Sequence, residues 1–593
     1  PRRPFTAANV YDLPAVGEWL PATVPGNVRV DLLNLGRIPD PFFAEQYRHS
    51  LWVEEMDWWY RCRAPAVSLE DGQRGWLVCR GLDYLAAVFV DGQEMARHEG
   101  MFSRLALDIT AALRRRPAPE IAVRLWGSTA LPRRRLTPLQ RLWQALAGPV
   151  YGSWVGIYPD RTATLKCQMS FGWDFAPPIR TIGIWDEVSL RLTGPAAILD
   201  AGLLARPAAA GPRADVSAVL HLQVDANQAR PAVVRVQVSP ANFAGPPYPP
   251  AHFRLDLPPG RSEHRLPLHL PQTALWHTWD RGYPHLYQVQ VDLTAADGRP
   301  LDRRTLRTGF RSLEVDGWQF RLNGRRLFIR GLNWVPADVF PGRLRRTDYD
   351  RLLRPLPDQG VNLLRVWGGG LREKAAFYHL CDELGLLVWQ EFPFACMFLG
   401  SYPRDPGFLS LVETECGDIV RQLRSHPSLA LWCGGNEFSR RRNRPLLDTL
   451  AAVVARLDGT RPFVPTSPGP GEMFYSGRGI PMPRHRDAGA TSHRGTTGHR
   501  EIYPGDVHEW RVWHGLAPLQ TYRRLTAAFV SEFGLQAPPH PDTLSACLPD
   551  PATGWDTHHA DLPKLEHYAA PFLPACGDLA SAARQAQAVG LQL

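Results

Sequence analysis

Lysine is nearly missing from this 593-residue chain: Lys166, Lys374 and Lys564 are the only three. The formal net charge of +9 is therefore carried by arginine. Its densest runs, Arg114-Arg115-Arg116, Arg133-Arg134-Arg135 and Arg440-Arg441-Arg442, are short, far apart in sequence and not interleaved with aromatic residues. A nucleic-acid partner calls for a continuous basic stripe with stacking residues, so this pattern argues against one. Apolar runs of about 18 residues, the length that crosses a bilayer, are missing too, which argues against membrane insertion. The opening residues PRRPFTAANVYDLP hold no initiator Met and no apolar core of an export signal. Cysteine is sparse: nine residues, with no CxxC pair and no histidine at zinc-ligand spacing. Most lie inside apolar runs such as FYHLCDELG, which reads as buried free thiols in a reducing compartment. The expected location is cytoplasmic, with the periplasm as alternative. No metal or cofactor is expected, and the sequence sets no oligomeric state.

What is present is an ordinary globular composition, 44% hydrophobic and 21% charged. At about 150 residues per domain the length suggests three to four domains. Residues 1–195 read as β: GWLVCRGLDYLAAVFVDGQEMARHEGMF alternates in period 2 around an Asp91-Gly92 turn, which suits a jelly-roll sandwich. Residues 196–312 continue as short alternating strands, VSAVLHLQVDA, AVVRVQVSP and LYQVQVDLTAADGRPL, fitting a smaller immunoglobulin-like sandwich. From 313 to 593 the rhythm changes. Strand-like runs (RLFIRGLNW, VNLLRVWG, LLVWQEF, LALWCGGNE, AFVSEFG) alternate with helix-like ones (EKAAFYHLCDELG, FLSLVETECGDIVRQLRSHP), and this many βα units argue for a (β/α)8 barrel. Residues 468–504, rich in Pro, Gly, His and Arg, read as a long loop over the barrel mouth.

Active sites of such barrels lie at the C-terminal ends of the strands. Two apolar strands end there on a carboxylate: LALWCGGNE on Glu437, and AAFVSEFG on Glu532 followed by Gly534. Each alone reads equally as a structural turn residue. Together, on strands about three apart around one ring, they form the pair that glycoside hydrolysis needs, one to protonate the leaving oxygen and one to attack or to activate water. Gly368-Gly369-Gly370 is not a phosphate loop, since no Lys-Ser/Thr follows.

The motifs LPATVPGNVRVDLL, RIPDPFF, DWWYR, FGWDFAPPIRTIGIW, RGLNWVPAD, LLRVWGGG, FYHLCDELGLLVWQEF, HPSLALWCGGNE, GDVHEWRVWHG and VSEFGLQ run from about residue 20 to the end. In this order the chain resembles the β-mannosidase branch of glycoside hydrolase family 2. The resemblance implies a jelly-roll domain, an immunoglobulin-like sandwich and a catalytic barrel. It implies a retaining exo-β-mannosidase acting on β-mannoside oligosaccharides, with Glu437 as acid/base and Glu532 as nucleophile. Asn436 would hold the substrate 2-hydroxyl, and Arg365 would sit beside the nucleophile and keep it ionised. Trp173 and Asp174 would reach from the first domain to the sugar, the alternative for Trp173 being a packed interface residue. Asn333, Trp334, Asp338 and Trp367 are expected to line the pocket, Trp367 equally as barrel filling. His508 and Trp510 match site positions after the sixth strand, where His514 carries less weight, and Cys433 reads as packing.

Three departures from the family pattern bear on function. The resemblance implies an eighth strand with a platform Trp, whereas this chain stops in LASAARQAQAVGLQL, the helix before it. An open barrel would expose unpaired strand groups and lose part of the sugar platform. Gly-Gly-Asn-Glu stands where Gly-Asn-Asn-Glu is common, and Glu509 stands at the expected mouth. Two alternatives follow: a sister activity of the family (β-galactosidase, β-glucuronidase or exo-β-glucosaminidase), or an inactive sugar-binding remnant.

Overall fold

The structure, a computed structural model, describes residues 19–142, 158–208, 211–397, 400–469, 473–474, 506–550 and 561–593. In the first part, a four-stranded antiparallel sheet (58–63, 120–125, 85–90, 93–99) faces a three-stranded one (105–108, 74–79, 188–193). The segment LAAVFV shows why this is a sandwich. Ala86, Val88 and Val90 point into the core with Leu77 and Cys79 of the facing sheet, while Ala87 and Phe89 pack outward against Trp59 and Trp126. Residues 213–226 of the second part alternate buried and exposed almost without exception, as a strand with one wet face must. They pair with 196–207 and 260–274, opposite a four-stranded sheet of 251–257, 230–240, 287–295 and 300–308.

The remaining residues build a TIM-type barrel, so the predicted architecture of two β-sandwiches and a barrel is the observed one. Parallel strands β1 (Gly331–Trp334), β2 (Leu363–Val366), β3 (Leu387–Glu391), β4 (Leu429–Cys433) and β5 (Phe463–Val464) form one sheet. Residues 473–474, β6 (Asp506–Glu509) and β7 (Phe529–Phe533) form a second parallel sheet. Strands β2, β3 and β4 are buried along their whole length, because the barrel interior covers one face and helices the other. Among the described residues β7 is the last strand of the barrel. Beyond it the chain is helical, ending in Leu579–Gln592. Most of the predicted loop at 468–504 lies outside the described residues.

Helix α1 (Arg346–Leu353), α2 (Ala375–Leu384), α3 (Pro406–Leu423) and α4 (Arg444–Leu457) cover the outside. The longest, α3, starts where Asp405 accepts a hydrogen bond from the Phe408 N–H and Pro406 sets the first turn. It buries Phe408, Val412, Cys416, Ile419, Val420 and Leu423, a stripe at three- and four-residue spacing. The floor of the barrel is closed by Trp318, whose ring stacks on Trp389 of β3 at 5.2 Å and lies 5.0 Å from Phe529 of β7.

Side chains tie the first two parts to the barrel. Glu415 on α3 accepts from the backbone N–H groups of Met101, Phe102 and Ser103. Arg104 pairs with Asp418 at 2.6 Å, and Arg424 pairs with Asp200. The segment after residue 165 lies across the barrel mouth, where the Met169 N–H donates to the Gly369 carbonyl at 2.9 Å.

Candidate active site

Beyond β4 the backbone turns through Gly435 at φ 142, where a Cβ would lie 2.3 Å from the Phe394 carbonyl oxygen, so only glycine fits. Asn436 then bridges in parallel to Ala395 on one side and Ser467 on the other. The Glu437 N–H donates to the Ser467 carbonyl at 2.7 Å. Glu437 itself is left-handed at φ 50, a conformation uncommon for a residue with a side chain and held here by the neighbouring strand ends. Strand β7 delivers Glu532 one residue before its end.

The two glutamates meet. One carboxylate oxygen of each and one His508 ring nitrogen all lie within 4.8 Å of one another. His508 Nδ1 is 2.7 Å from Glu437 Oε1 and 3.2 Å from Glu532 Oε2, and its Nε2 is 3.1 Å from Ser467 Oγ. Arg365 at the end of β2 binds only one of the pair. Its Nη1 donates to Glu532 Oε1 at 2.5 Å and to Asn333 Oδ1 at 2.8 Å, its Nη2 to Asn436 Oδ1 at 2.7 Å and its Nε to Glu391 Oε1 at 2.9 Å. The Trp510 indole N–H reaches Glu532 Oε2 at 3.3 Å, and the Cys396 thiol lies 3.4 Å from Glu437 Oε2. All of these except Asn333 and Trp510 are buried.

Burial dominates the electrostatics. It pulls His508 down to about 4 despite the nearby Glu532, so the imidazole is neutral at neutral pH. It works against the Arg365 charge as well, but Glu391 and Glu532 outweigh it and hold the guanidinium above its ordinary value. Glu391 is pushed up to about 7 by burial, in spite of Arg365 and the Gly368 N–H that donates to its Oε2 at 2.7 Å. Burial also raises the Cys396 thiol well above its usual range, with Glu437 adding to the effect.

The first domain supplies a wall. Trp173 meets the edge of Trp367 at 4.8 Å, and Phe175 lies 5.8 Å from the same ring. The Arg161 guanidinium sits 5.1 Å above Trp173. Asp174 is open to solvent yet recessed among protein atoms, which push its carboxyl up to about 6, helped by the charges of Glu532 and Glu437.

The structure thus gathers Glu437, Glu532, Asn436, Arg365, Asn333, His508 and Trp510 around one point, with Trp173, Asp174 and Trp367 beside them. Trp334 and Asp338 are not brought there. Trp334 turns outward, packs on Phe377 of α2 at 4.9 Å and donates to Glu373 at 3.0 Å. Adjacent strand residues face opposite sides, so Asn333 inside puts Trp334 outside. Asp338 accepts from the Phe340 N–H and from Arg343, fastening its own loop. Glu509 is likewise not at the mouth: it is fully buried and paired with Arg511. His514 packs against the Trp510 ring at 5.4 Å. Sequence reasoning missed Glu391, although LVWQE is a third apolar strand ending on a carboxylate, and missed Cys396.

Among the described residues two groups offer enough donor atoms for a metal, the Glu437–His508–Glu532 group and His379, Asp382 and His426. In the first, a cation would stand beside the Arg365 guanidinium that already holds Glu532, an unfavourable juxtaposition.

Comparison with known proteins places the chain in a family. Residues 5–186 match the galactose-binding-like domain of glycosyl hydrolase family 2, residues 206–311 match glycosyl hydrolases family 2, and residues 313–468 match that family's TIM barrel domain. The chain belongs to glycoside hydrolase family 2. Within the family it is 30% identical to β-mannosidase B of Thermothelomyces thermophilus, over 90% of this chain and 61% of that protein. It is 29% identical to β-mannosidase B of Emericella nidulans, over 91% of this chain and 63% of that protein. The chain therefore spans less than two thirds of the length of these relatives. The solved β-D-mannosidase of Dictyoglomus thermophilum superposes with a TM-score of 0.78 at 29% identity, covering 97% of this family 2 chain and 69% of that one.

Proposed function

We propose that this family 2 chain is a retaining exo-β-mannosidase, which releases terminal β-D-mannose from the non-reducing end of oligosaccharides. The observation that carries the reading is the carboxylate pair itself: two buried glutamates with oxygens within 4.8 Å, of which Glu532 is paired with Arg365 at 2.5 Å. Carboxyl groups about 5 Å apart suit direct attack on the anomeric carbon, whereas inversion needs room for a water between them.

Glu532, paired with Arg365, attacks C1 as the C1–O bond breaks, while Glu437 gives its proton to the leaving oxygen. Water then attacks C1 and loses a proton to Glu437, and the bond to Glu532 breaks, restoring both carboxyl groups. Neutral His508 spans both carboxylates and fixes their orientation without adding a charge. Arg365 engages the Asn436 carbonyl oxygen at 2.7 Å and Cys396 Sγ accepts one amide N–H at 3.4 Å, so the second N–H serves the axial 2-hydroxyl that distinguishes mannose from glucose. Trp173, Asp174 and Trp367 close the non-reducing side and restrict the enzyme to chain ends.

The test is hydrolysis of p-nitrophenyl β-D-mannoside beside its gluco, galacto and glucuronide analogues, with the product anomer followed by NMR. Selective mannoside turnover, β-mannose appearing first, and loss of turnover in Glu532→Ala support the reading. Equal turnover of the analogues, or α-mannose first, refutes it.

A further inference from the structure

One arginine from each of two triplets far apart in sequence, Arg134 and Arg442, is tied to the loop after β3. Arg134 donates to the Ser401 carbonyl at 2.5 Å, and Arg404 donates to the Arg442 carbonyl at 2.6 Å. Between them opens a cleft of about 340 Å³ lined by Thr137, Leu139, Gln140, Ser401, Arg404 and Arg442. That volume is in the range of small-molecule sites. Among the described residues no carboxylate pairs with Arg133, Arg134, Arg135, Arg404, Arg441 or Arg442, whereas Arg365, Arg424 and Arg461 elsewhere in the barrel each have one. All six are exposed.

The position of the cleft follows from topology. Ser401 and Arg404 lie on the loop after β3, the same loop whose Cys396 touches Glu437, and Arg442 lies five residues beyond Glu437 on the loop after β4. Both loops leave the C-terminal face of the barrel. An acid that protonates the leaving oxygen must stand on the leaving-group side of the sugar. The loops that line the cleft are the ones that carry Cys396 and Glu437, whereas Arg365, Trp173 and Trp367 stand with Glu532 and the wall from the first domain.

We propose that this cleft is a leaving-group subsite for an acidic sugar, one bearing a carboxylate or phosphate next to the scissile mannoside. The inference rests on the mannosidase reading. Guanidinium forks match both oxyanions, and Leu139 offers an apolar face to the sugar ring.

The test compares β-mannosyl-(1→4)-glucuronic acid, β-mannosyl-(1→4)-glucose 6-phosphate and neutral β-mannosyl-(1→4)-glucose on the wild type and on Arg404→Gln/Arg442→Gln. One or both acidic substrates should show a KM about tenfold lower than the neutral one at about 0.02 M salt, a gap that narrows at about 0.5 M. Which of the two is preferred tells carboxylate from phosphate. The double substitution should abolish the gap and leave p-nitrophenyl β-mannoside turnover unchanged. Equal KM values, or a preference that survives the double substitution, overturns the inference. If no mannoside is turned over, the mannosidase reading fails, and calorimetric titration of both acidic disaccharides into Glu532→Gln, with and without the arginine substitutions, still decides whether the cleft holds an anion.

Discussion

Glu391→Gln is the sharpest probe of how Glu532, the proposed nucleophile, is held. Glu391 never approaches the sugar in this arrangement; it stands behind Arg365, accepting from its Nε at 2.9 Å and from the Gly368 N–H at 2.7 Å. Glutamine keeps the shape but has only one acceptor oxygen. Whichever way the amide turns, one buried donor, the guanidinium or the Gly368 N–H, faces another donor. A buried donor left without its partner costs about 1–3 kcal/mol, and a hydrogen bond to a charged group contributes about 1.5–3 kcal/mol. A loss of about 2–3 kcal/mol in positioning Glu532 corresponds to a fall of about 30- to 150-fold in kcat/KM. It should appear mainly in kcat, because Arg365 donates directly to Glu532, the proposed nucleophile, and would reach the sugar only through Asn436. Steady-state kinetics on p-nitrophenyl β-mannoside reads it directly. A Gln variant within threefold of wild type would refute the claim that Glu391 positions the nucleophile through Arg365. The same substitution has a pH signature. Burial raises the folded-state value of Glu391 to about 7, above its unfolded value of 4.5, so its stabilising contribution is present below pH 4.5 and is lost as pH rises towards 7. The stability gap between wild type and variant should therefore narrow across that window, read by thermal unfolding at successive pH values.

Gly369→Ala would place a Cβ 1.7 Å from the Trp367 ring, which is rigid and must move; KM should rise and stability should fall by about 1–3 kcal/mol, checked by kinetics and melting. Trp318→Ala removes the floor under β3 and β7 and should cost about 3–5 kcal/mol in chemical denaturation, an effect below about 1 kcal/mol arguing against the plug. Because burial keeps Cys396 protonated, iodoacetamide at about pH 8 should label the exposed Cys62 and spare activity, whereas activity lost in step with labelling of Cys396 would contradict the burial seen here.

The sequence-level reading succeeded where one strand carries its own punctuation. Glu437 and Glu532 each follow an apolar run and precede or follow glycine, so their position at the barrel mouth is written locally. Strand-top neighbours were harder. RGLNW and DVHEW each present two polar or aromatic residues side by side, and only the two-residue period of a strand decides that Asn333 and His508 face inward while Trp334 and Glu509 face away. Glu391 carried the same signature as the glutamates but has its role only through Arg365, a partner from another strand. The arginine triplets looked scattered because nothing local says that the loops bearing them meet.

One property of the barrel bears on more than catalysis. Among the described residues its strands fall into two sheets with no backbone ladder between them, one carrying Glu437 and the other Glu532. The seams are made by side chains: Ser467 to Asp506 at 2.8 Å, Asn333 to the Ser531 carbonyl at 3.1 Å, and His508 and Arg365 reaching across. The groups that would handle the sugar are thus also the fasteners of the fold. A ligand that bridges them is a clamp, and its binding energy adds to the cohesion of the two halves. Occupied enzyme should then open more slowly at this seam than empty enzyme, so hydrogen exchange in β6 and β7 would register substrate even where no strand touches it.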